Sequence, residues 1–462
     1  MSTEPAQETL FDPEEDFQPK PKAVVALPHY KDLPPVFRQL VGNAPPKFKT
    51  ATFIAAVAPL GCLATRLRFY YPFDQGPMAP LFQTIICSDQ SGGKSFARNV
   101  ENVIMAKQKA RDNEQRRQEQ AYRELKQTAA KNEKLPDPPK TAIICCPVSI
   151  SIAQLIKRAD SPVRLYGTPL TLWTFTEELA TATETNKRAF SNIKSIMRTA
   201  YDLGSEYGVD YLGENTYSAT VDILYNTMFC TTPSALDDYM DKKAIEGGNC
   251  TRTIIYDLGS QLGDEAPVFR RITEEQQRDI DHTIDQIMAG TYAPDGTVNP
   301  EFYVDMQWLW KDVRTWCSQK NLEAVKTGSL ALGTFFKRSS VSAFRIATLC
   351  QYLYTLEAAD GELTPRHKRL IKQIYHAMAE QILSGMIDKW GKRFEDLQYK
   401  RFELYDHQPR DLFSNLPKAF DRELLRETIK RLELTTPDWV FLSKWNAKGL
   451  IKRLSKNQFQ KL

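Results

Sequence analysis

The residues best suited to chemistry stand in the stretch GGKS, which comprises Gly92, Gly93, Lys94 and Ser95. It follows the apolar run APLFQTIIC and precedes a segment of helix-forming residues. In such a loop, glycines let backbone amides approach a phosphate, a lysine reaches the β- and γ-phosphates, and a serine hydroxyl ligates Mg²⁺. The stretch predicts a phosphate-binding loop between a strand and a helix. Because Ser88 stands where this pattern usually begins with glycine, an ordinary turn is the alternative.

Two adjacent carboxylates, Glu177 and Glu178, end a second apolar run, LTLWTFTEEL. A carboxylate at the end of a buried strand can bind a metal ion, and a second one beside it can polarise a water molecule. The pattern predicts Glu177 as a ligand of Mg²⁺ and Glu178 as the group that activates water. A solvent-exposed turn with two acidic residues is the alternative.

Two later stretches carry groups that suit a bound triphosphate. In YNTMFCTTPSAL, either Asn226 or the pair Thr231 and Thr232 is placed to sense a γ-phosphate. In EGGNCTRTIIYDL, Arg252 stands between a glycine turn and an apolar run. An arginine there can reach the nucleotide of a neighbouring subunit and stabilise charge that develops in the reaction. The alternative for Arg252 is an ordinary surface ion pair.

The apolar runs that position these groups alternate with helical segments, which indicates an α/β fold with a mostly parallel sheet. We predict strands in LFQTIICS, KTAIICCPVS, LTLWTFTEE, TVDILYNTMFCTT and RTIIYDL. We predict helices over 34–75, from Ser95 to about residue 134, over 150–159, over 186–203 and throughout 270–405. The mostly polar arm at 100–134 is expected to project into solvent, with a subunit contact or a basic DNA-facing surface as alternatives.

The composition limits the remaining possibilities. The 462 residues carry a net charge of only +4, so any contact with nucleic acid must come from a local patch. The segment 1–33, which has an excess of acidic residues, is expected to be disordered. The eight cysteines form no CxxC pair, which argues against structural zinc and favours a reducing, cytoplasmic setting. The most apolar stretch, ATFIAAVAPLGCLATRL, is too short to cross a bilayer and predicts a buried helix, so no membrane contact is expected.

Residues 406–462 are predicted to form a winged helix. DRELLRETIKRLEL and TTPDWVFLSKWNAKG have the pattern of two helices, and LIKRL-SKN-QFQKL alternates like a hairpin. No acidic residue follows Trp439. The residues expected to contact nucleic-acid phosphates are Lys444, Lys448, Lys452, Arg453 and Lys456. A protein-interaction module with a basic face is the alternative.

The ordered set of the glycine loop, FTEEL, FCTTPSAL, GGNCTRTIIY and SVSAFRIATLCQYL resembles a family of P-loop ATPases of bacterial mobile elements and phages. That family is distantly similar to superfamily-three replicative and primase-associated helicases, and the resemblance covers roughly residues 35–400. Ser88 and Gly92 complete the predicted phosphate-binding pattern. The resemblance implies that Gly93, Lys94 and Ser95 form the nucleotide loop. It further implies that Glu177 and Glu178 are the metal-binding and catalytic acids, that Thr231 or Thr232 is a sensor, and that Arg252 is an arginine finger. Arg345, in FRIA, matches a recurring arginine that is expected to sense nucleotide.

The order of the segments predicts a helical segment at 34–80, a P-loop ATPase domain at 81–265 and a helical domain at 266–405. The loop and the two carboxylates predict ATP and Mg²⁺ as cofactors. The resemblance implies a ring of identical subunits that acts as a helicase-like motor on single-stranded DNA. A nucleotide-gated DNA-binding adaptor or loader is the alternative, and a small-molecule kinase is a third class. A primase is one expected partner. QETLF, residues 7–11, is similar to a sliding-clamp-binding motif, with a plain acidic tail as its alternative.

Overall fold

The computed structural model describes most of the chain. The described residues are 26–130, 134–179, 187–210, 217–260, 263–398, 412–413, 415–432, 434, 437–447 and 449–462. QETLF and most of the segment 1–33 therefore lie outside the described residues. Within the described part, no helix combines the length and the apolar character that crossing a membrane requires.

Two helices begin the described chain, α1 (Pro35–Asn43) and α2 (Lys49–Leu63). The predicted buried helix is confirmed in α2, whose apolar sequence is covered on every side. The prediction of helix up to residue 75 is wrong, because strands β1 (Leu67–Tyr70) and β2 (Pro77–Met78) follow α2. β1 also pairs with β9 (Phe302–Tyr303), which interrupts the region that was expected to be helical throughout.

A parallel sheet of four strands lies at the centre, in the order β4–β7–β3–β8. Its strands are β3 (Gln83–Cys87), β4 (Leu172–Thr176), β7 (Tyr225–Thr231) and β8 (Thr253–Asp257). β3 pairs in parallel with β7 and β8, and β4 pairs in parallel with β7. The predicted α/β class with a parallel sheet is confirmed. Because the strands run in one direction, their carboxyl ends lie at one edge of the sheet.

The run KTAIICCPVS, predicted as a strand, is extended but joins β4 only through a bridge between Cys145 and Trp173. The backbone amides of Ile144 and Cys145 donate to Asp112 Oδ2 at 3.1 and 2.7 Å. Asp112 belongs to the long helix α3 (Phe96–Thr128). Its carboxylate thus accepts the amide hydrogen bonds that pairing with another strand would require. The prediction of a full strand is therefore wrong. Likewise, the long strand expected over 220–232 is divided between β7 and β6 (Ala219–Asp222), which forms a hairpin with β5 (Glu206–Val209).

Helices connect the strands of the sheet. They are α3, α4 (Ile152–Tyr166), α5 (Lys187–Thr199), α6 (Pro233–Tyr239), α7 (Lys242–Glu246) and α8 (Asn249–Arg252). α3 has 33 residues and spans about 50 Å at 1.5 Å per residue. Its buried residues end at Asp112, so the half that follows is a mostly solvent-exposed arm, as expected for the polar sequence.

Four helices make up most of the region after the sheet. They are α9 (Glu274–Thr291), α10 (Trp310–Thr327), α11 (Leu330–Glu357) and α12 (Pro365–Met386), and α12 continues into a π-helical turn at Ile387–Gly391. One cluster of buried apolar side chains extends from Leu33 to Phe394. The ranges 34–80, 81–265 and 266–405 therefore share one hydrophobic core.

The carboxyl-terminal segment has its own core. Its elements are β10 (Ala419–Asp421), α13 (Arg422–Arg431), α14 (Asp438–Ala447), β11 (Ile451–Arg453) and β12 (Gln458–Lys461). The strands form an antiparallel sheet in the order β10–β12–β11. Phe420, Leu425, Phe441, Trp445 and Phe459 are among the buried side chains. The predicted order of two helices and a hairpin is confirmed, and the short strand β10 was not expected.

Candidate functional site

A cavity of about 770 Å³ lies at the carboxyl edge of the parallel sheet. In open α/β sheets this edge is the usual position for a ligand. The cavity is lined by residues 90–95 after β3, by Glu177 and Glu178 after β4, and by Thr231 and Thr232 at the end of β7. Stretches that are far apart in the sequence are thus brought together, and the volume is in the range of small-molecule sites.

The loop between β3 and α3 exposes backbone donors. Within the described chain, the backbone N–H groups of Gly93, Lys94 and Ser95 have no acceptor, as expected for groups that lead into a helix. Gly93 has φ +77°, and Ser91 has φ +60°, the one positive value among the described non-glycine residues. Alternating backbone conformations of this kind turn several amides toward one point, which suits an anion.

Gly92 is required by the packing of the loop against Ser88. Ser88 is fully buried, and its hydroxyl donates to the carbonyl of Gly92 at 3.3 Å. A Cβ at residue 92 would overlap Ser88 Oγ and would lie 3.1 Å from the carbonyl of Asp89. Ser88 therefore fits the first position of the loop only because residue 92 lacks a side chain.

We expect Gly92→Ala to lower the free energy of unfolding by about 1–3 kcal/mol, because the methyl group overpacks the loop. Thermal and urea unfolding of the full chain measure this effect. Ser88→Gly in the same chain removes the overlapping hydroxyl and should restore most of the loss. Gly333→Ala is the matched control, because its Cβ meets only Ala324 at an ordinary 3.6 Å. A Gly92→Ala protein as stable as the Gly333→Ala protein would contradict the tight loop.

Lys94 lies within the loop that it was predicted to serve. Its ammonium donates to the carbonyls of Ser88 and Asp89, each at 2.9 Å. These are neutral acceptors, and a phosphate group offers a charged one that forms stronger hydrogen bonds with an ammonium. Lys94 is thus positioned at the cavity by contacts that a bound anion can replace.

Glu177 and Glu178 lie at the same cavity in different surroundings. Glu177 is partly buried and forms an ion pair with Arg98 in the first turn of α3. Glu178 is solvent-exposed, and its backbone N–H donates to Thr176 Oγ1 at 3.4 Å. The two carboxylates are therefore distinguished by their environments, as is needed for two different roles.

The polar groups of β7 lie at opposite edges of the sheet. Thr231 pairs with Cys87, and its carbonyl accepts the amide of Ser88 at 3.2 Å, so it lies beside the loop. Asn226 lies at the amino end of β7, where its Nδ2 donates to the carbonyls of Ala58 and Pro80 at 3.0 Å. The suggestion that Asn226 senses a phosphate at this cavity is wrong, because the side chain is buried and binds backbone groups at the other edge.

The thiols beneath the loop contribute no negative charge. Burial raises the pKa of Cys87 to about 11 and that of Cys230 to about 12, so both are neutral at physiological pH. All eight cysteines are described, none forms a disulfide, and seven are buried. The cysteines thus act as small apolar residues, as their sequence surroundings predict.

Comparison with models of protein families and with curated proteins gave no match to this chain.

Arg252 lies at the edge opposite to the cavity. It ends α8 and directly precedes Thr253, which pairs with Gln83 at the amino end of β3. Its Nη1 donates to the carbonyl of Gly248 at 3.1 Å, and its Nε is buried with no acceptor in the described chain. Burial lowers the pKa of Arg252, and the positive charge of the nearby Arg338 lowers it further. Within one chain, Arg252 is therefore separated from Lys94 by the length of the sheet.

Arg345 also lies away from the cavity. It is fully buried, and its guanidinium donates to the carbonyls of Leu81 and Tyr201 at 2.9 and 2.8 Å. It also stacks on the ring of Tyr201, with 4.1 Å to the ring centroid. The structure thus does not bring Arg345 to the loop that it was expected to monitor. Its contacts join α11 to the segments at Leu81 and Tyr201.

We expect Arg345→Met to lower the free energy of unfolding by about 3 kcal/mol or more, because two buried carbonyls lose their donor. Arg338→Met is the control: Arg338 also lies over Tyr201, but it is one-third exposed, so the loss should be below about 1 kcal/mol. Chemical denaturation gives both values. If Arg345→Met instead leaves stability unchanged and weakens nucleotide binding, a direct sensing role is restored.

Two residues at the carboxyl edge were missed by sequence reasoning. Arg98 lines the cavity one turn into α3, and its position follows from the helix that the loop begins. Lys389, in the π-helical turn, forms an ion pair with Asp257 at the end of β8. Burial alone would lower the pKa of Lys389, but the contact with Asp257 outweighs burial and raises it. No local sequence pattern indicates the position of Lys389, since more than a hundred residues separate it from β8 and only the tertiary fold brings them together.

The predicted DNA-contacting residues of the carboxyl-terminal segment fall into three groups. Lys452 and Lys456 are solvent-exposed on the hairpin. Arg453 is also exposed, but it donates to the carbonyls of Ser455 and Lys456 at 3.0 Å and so closes the hairpin turn. Lys448 lies outside the described residues, and of Lys444 only the backbone, in α14, is described.

Proposed function

We propose that this chain is a P-loop ATPase that binds ATP with Mg²⁺ at the carboxyl-edge cavity and acts on DNA as a helicase- or translocase-like motor. The observation that carries the proposal is the convergence of the GGKS loop, Glu177, Glu178 and Thr231 on one cavity. These groups are far apart in the sequence, and the parallel strands bring them to the same edge.

The loop would hold the phosphates of the nucleotide. Three amides without acceptors, at Gly93, Lys94 and Ser95, offer hydrogen bonds where the dipole of α3 favours negative charge. The ammonium of Lys94 would exchange the carbonyls of Ser88 and Asp89 for phosphate oxygens. Thr231 and Thr232 line the cavity beside the loop and would sense whether the γ-phosphate is present.

Ser95 and Glu177 would hold Mg²⁺ together with the phosphates. In the described part of the chain, no group of three acidic, histidine or cysteine side chains can hold a metal unaided. That composition suits Mg²⁺, which commonly binds through one or two protein oxygens and the phosphates of a substrate. When bound, the ion would neutralise phosphate charge, and Glu178 would orient the attacking water and accept its proton.

Arg252 would complete the site of a neighbouring copy. It lies at the amino edge of the sheet, too far along the strands to reach the cavity of its own chain. Asp202 is the carboxylate of the same chain that acts on the half-buried guanidinium, but the buried Nε has no acceptor in the described chain, so it remains able to donate to an anion of a neighbouring copy. In a closed ring, each copy presents this edge to the next, so one arginine serves each nucleotide.

The carboxyl-terminal segment would contact DNA as a winged helix. Its two helices and hairpin follow the order of that motif, and Lys452 and Lys456 project from the hairpin into solvent. Action on DNA suits replication of a mobile genetic element, as the sequence resemblance implies. A primase would be a functional partner.

We expect Lys452→Ala with Lys456→Ala to weaken DNA binding several-fold and to reduce the slope of log affinity against log salt by about 1.4, since each phosphate contact contributes about 0.7. Titration of a fluorescent oligonucleotide at several salt concentrations measures both. Lys311→Ala with Lys326→Ala removes the same charge from exposed sites on α10 and is the control. An equal loss in both proteins would contradict a DNA role for the hairpin.

A second candidate is a nucleotide-gated DNA-binding adaptor or loader without motor activity. The contacts of Lys94 with its own loop and of Glu177 with Arg98 favour it, because both groups have partners within the chain that compete with a nucleotide. Measuring ATP turnover with and without single-stranded DNA separates the two candidates. DNA-stimulated turnover supports the motor, whereas nucleotide binding without turnover supports the adaptor.

A further inference from the structure

A second cavity, of about 660 Å³, lies between the exposed half of α3, the segment 137–141 and α4. We name it the arm cleft. Two acidic side chains line it, Glu119 and Asp137. Six basic side chains line it: Arg123, Lys126, Lys140, Lys157, Arg158 and Arg164. The lining side chains thus carry an excess of four positive charges, of which Asp160 compensates one through Arg164, so the arm cleft is a local basic patch.

Three of the basic residues form ion pairs within the walls of the arm cleft, and one of them, Arg123, lies 3.6 Å from Glu119 Oε2. Arg158 binds both carboxylate oxygens of Glu119, at 2.5 and 2.9 Å, and so ties α4 to α3. Burial alone would raise the pKa of Glu119, but hydrogen bonds from Arg158 and Thr141 bring it to about 2. Arg164 forms an ion pair with Asp160. The charge of Glu119 is thus compensated within the wall.

Three lysines remain available to a ligand. Lys126, Lys140 and Lys157 are solvent-exposed, and no described carboxylate lies within ion-pair distance of them. They come from three different elements, namely the arm, the segment before the extended run 141–147, and α4. Their charges therefore surround the opening of the arm cleft, an arrangement that a repeating anion such as a phosphate backbone can satisfy.

The arm cleft also contains two half-buried tyrosines, Tyr122 and Tyr217. The ring of Tyr217 is approached by Lys157 and Arg164, with 5.9 and 5.4 Å to the ring centroid. Aromatic rings within a basic groove are the usual means by which proteins bind single-stranded nucleic acid, since bases stack on the rings while cations contact the backbone. An acidic peptide would use the lysines but not the rings.

We propose that the arm cleft binds single-stranded DNA. This inference rests on the proposed action on DNA, but not on ATP hydrolysis or on the carboxyl-terminal segment. The cleft and the carboxyl-edge cavity are connected by α3, which begins at the GGKS loop and forms one wall of the cleft through Glu119, Tyr122 and Lys126. A bound strand and a bound nucleotide would thus contact the two ends of one helix.

The test measures binding of a fluorescent single-stranded oligonucleotide to the full chain, without nucleotide, over a range of salt concentrations. The variant carries Lys126→Ala, Lys140→Ala and Lys157→Ala, which leave the Arg158–Glu119 contact intact. We expect affinity to fall about 10-fold or more and the salt slope to decrease by up to about 2. The same three lysines changed to arginine should retain binding. Lys311→Ala, Lys326→Ala and Lys368→Ala on α10 and α12 are the matched control.

Three results would overturn the inference. The first is equal binding by the alanine variant and the wild-type chain, when the wild-type chain does bind. The second is an equal loss in the control. The third is displacement of the oligonucleotide by polyglutamate of the same charge as effectively as by unlabelled DNA, which would indicate an acidic protein partner. If the wild-type chain binds no DNA, the proposed action on DNA fails as well, whereas loss of ATP turnover alone leaves this test unaffected.

Discussion

Replacing Lys94 by alanine should reduce ATP turnover at least 100-fold. The ammonium would bind the β- and γ-phosphates and offset charge that develops during transfer, so its loss affects binding and catalysis together. Turnover is measured by phosphate release at saturating ATP and Mg²⁺. Because Lys94 now contacts only the carbonyls of its own loop, the fold should lose little stability.

Lys47→Ala is a suitable control for Lys94→Ala. Lys47 is exposed and forms a surface ion pair with Asp264. It precedes Phe48, whose ring lies against Gly93 of the loop. Surface pairs contribute at most about 1 kcal/mol, so this protein should keep its turnover. If Lys94→Ala retains more than about one-tenth of the wild-type rate while Lys47→Ala behaves the same, the loop does not hold the reacting phosphates.

Replacing Arg252 by alanine should also abolish turnover, and activity should return when this protein is mixed with a Glu178→Gln protein. An arginine finger contributes about 10³- to 10⁵-fold to rate in related chemistry. Each variant alone lacks one essential group at every interface. In a randomly mixed ring with equal amounts of both, about one quarter of interfaces combine an intact Glu178 with an intact Arg252. Phosphate release as a function of mixing ratio should therefore peak near equal amounts.

The mixing experiment has an internal control. Arg252→Ala mixed with Lys94→Ala should recover in the same way, because Lys94 and Glu178 belong to one subunit of the shared site. Glu178→Gln mixed with Lys94→Ala should recover nothing, because both lesions then affect the same side of each interface. Failure of both Arg252 mixtures to recover at any ratio would contradict a site that is shared between subunits.

The central sheet could be predicted from the sequence because each strand is a short apolar run that ends in polar residues. The polar residues that follow the strands, such as Lys94 and Glu177, identify the edge at which a ligand would lie. The direction of each strand then determines which of its polar residues lie at that edge. Asn226 is the second residue of β7, so strand direction alone places it at the amino edge, and the sequence contained that signal.

Other features depend on contacts that no local pattern reveals. β1 pairs with β9 across more than two hundred residues, and the extended run at 141–147 gives amide hydrogen bonds to Asp112 on the arm. Arg345 lies in a helix that is buried along most of its length, where an arginine has the same sequence pattern whether it binds a ligand or backbone carbonyls. Only the positions of Leu81 and Tyr201 distinguish the two.

The arm α3 combines both kinds of information. Its polar composition correctly predicts an exposed helix, yet the composition alone leaves open solvent, a subunit contact or DNA as its surroundings. The contact between Arg158 and Glu119 draws α4 against the arm and creates a cleft whose lysines come from three elements. The basic surface is therefore a property of the fold and is spread over distant parts of the sequence.

A structure of the full chain with Mg²⁺ and a non-hydrolysable ATP analogue tests the central claim most directly. We predict a triphosphate bound by the amides of Gly93, Lys94 and Ser95, with Lys94 moved from its loop carbonyls to the phosphates and Mg²⁺ between Ser95 and Glu177. A nucleotide bound elsewhere, or a loop that stays empty at saturating analogue while Lys94 keeps its contacts with Ser88 and Asp89, would contradict the account.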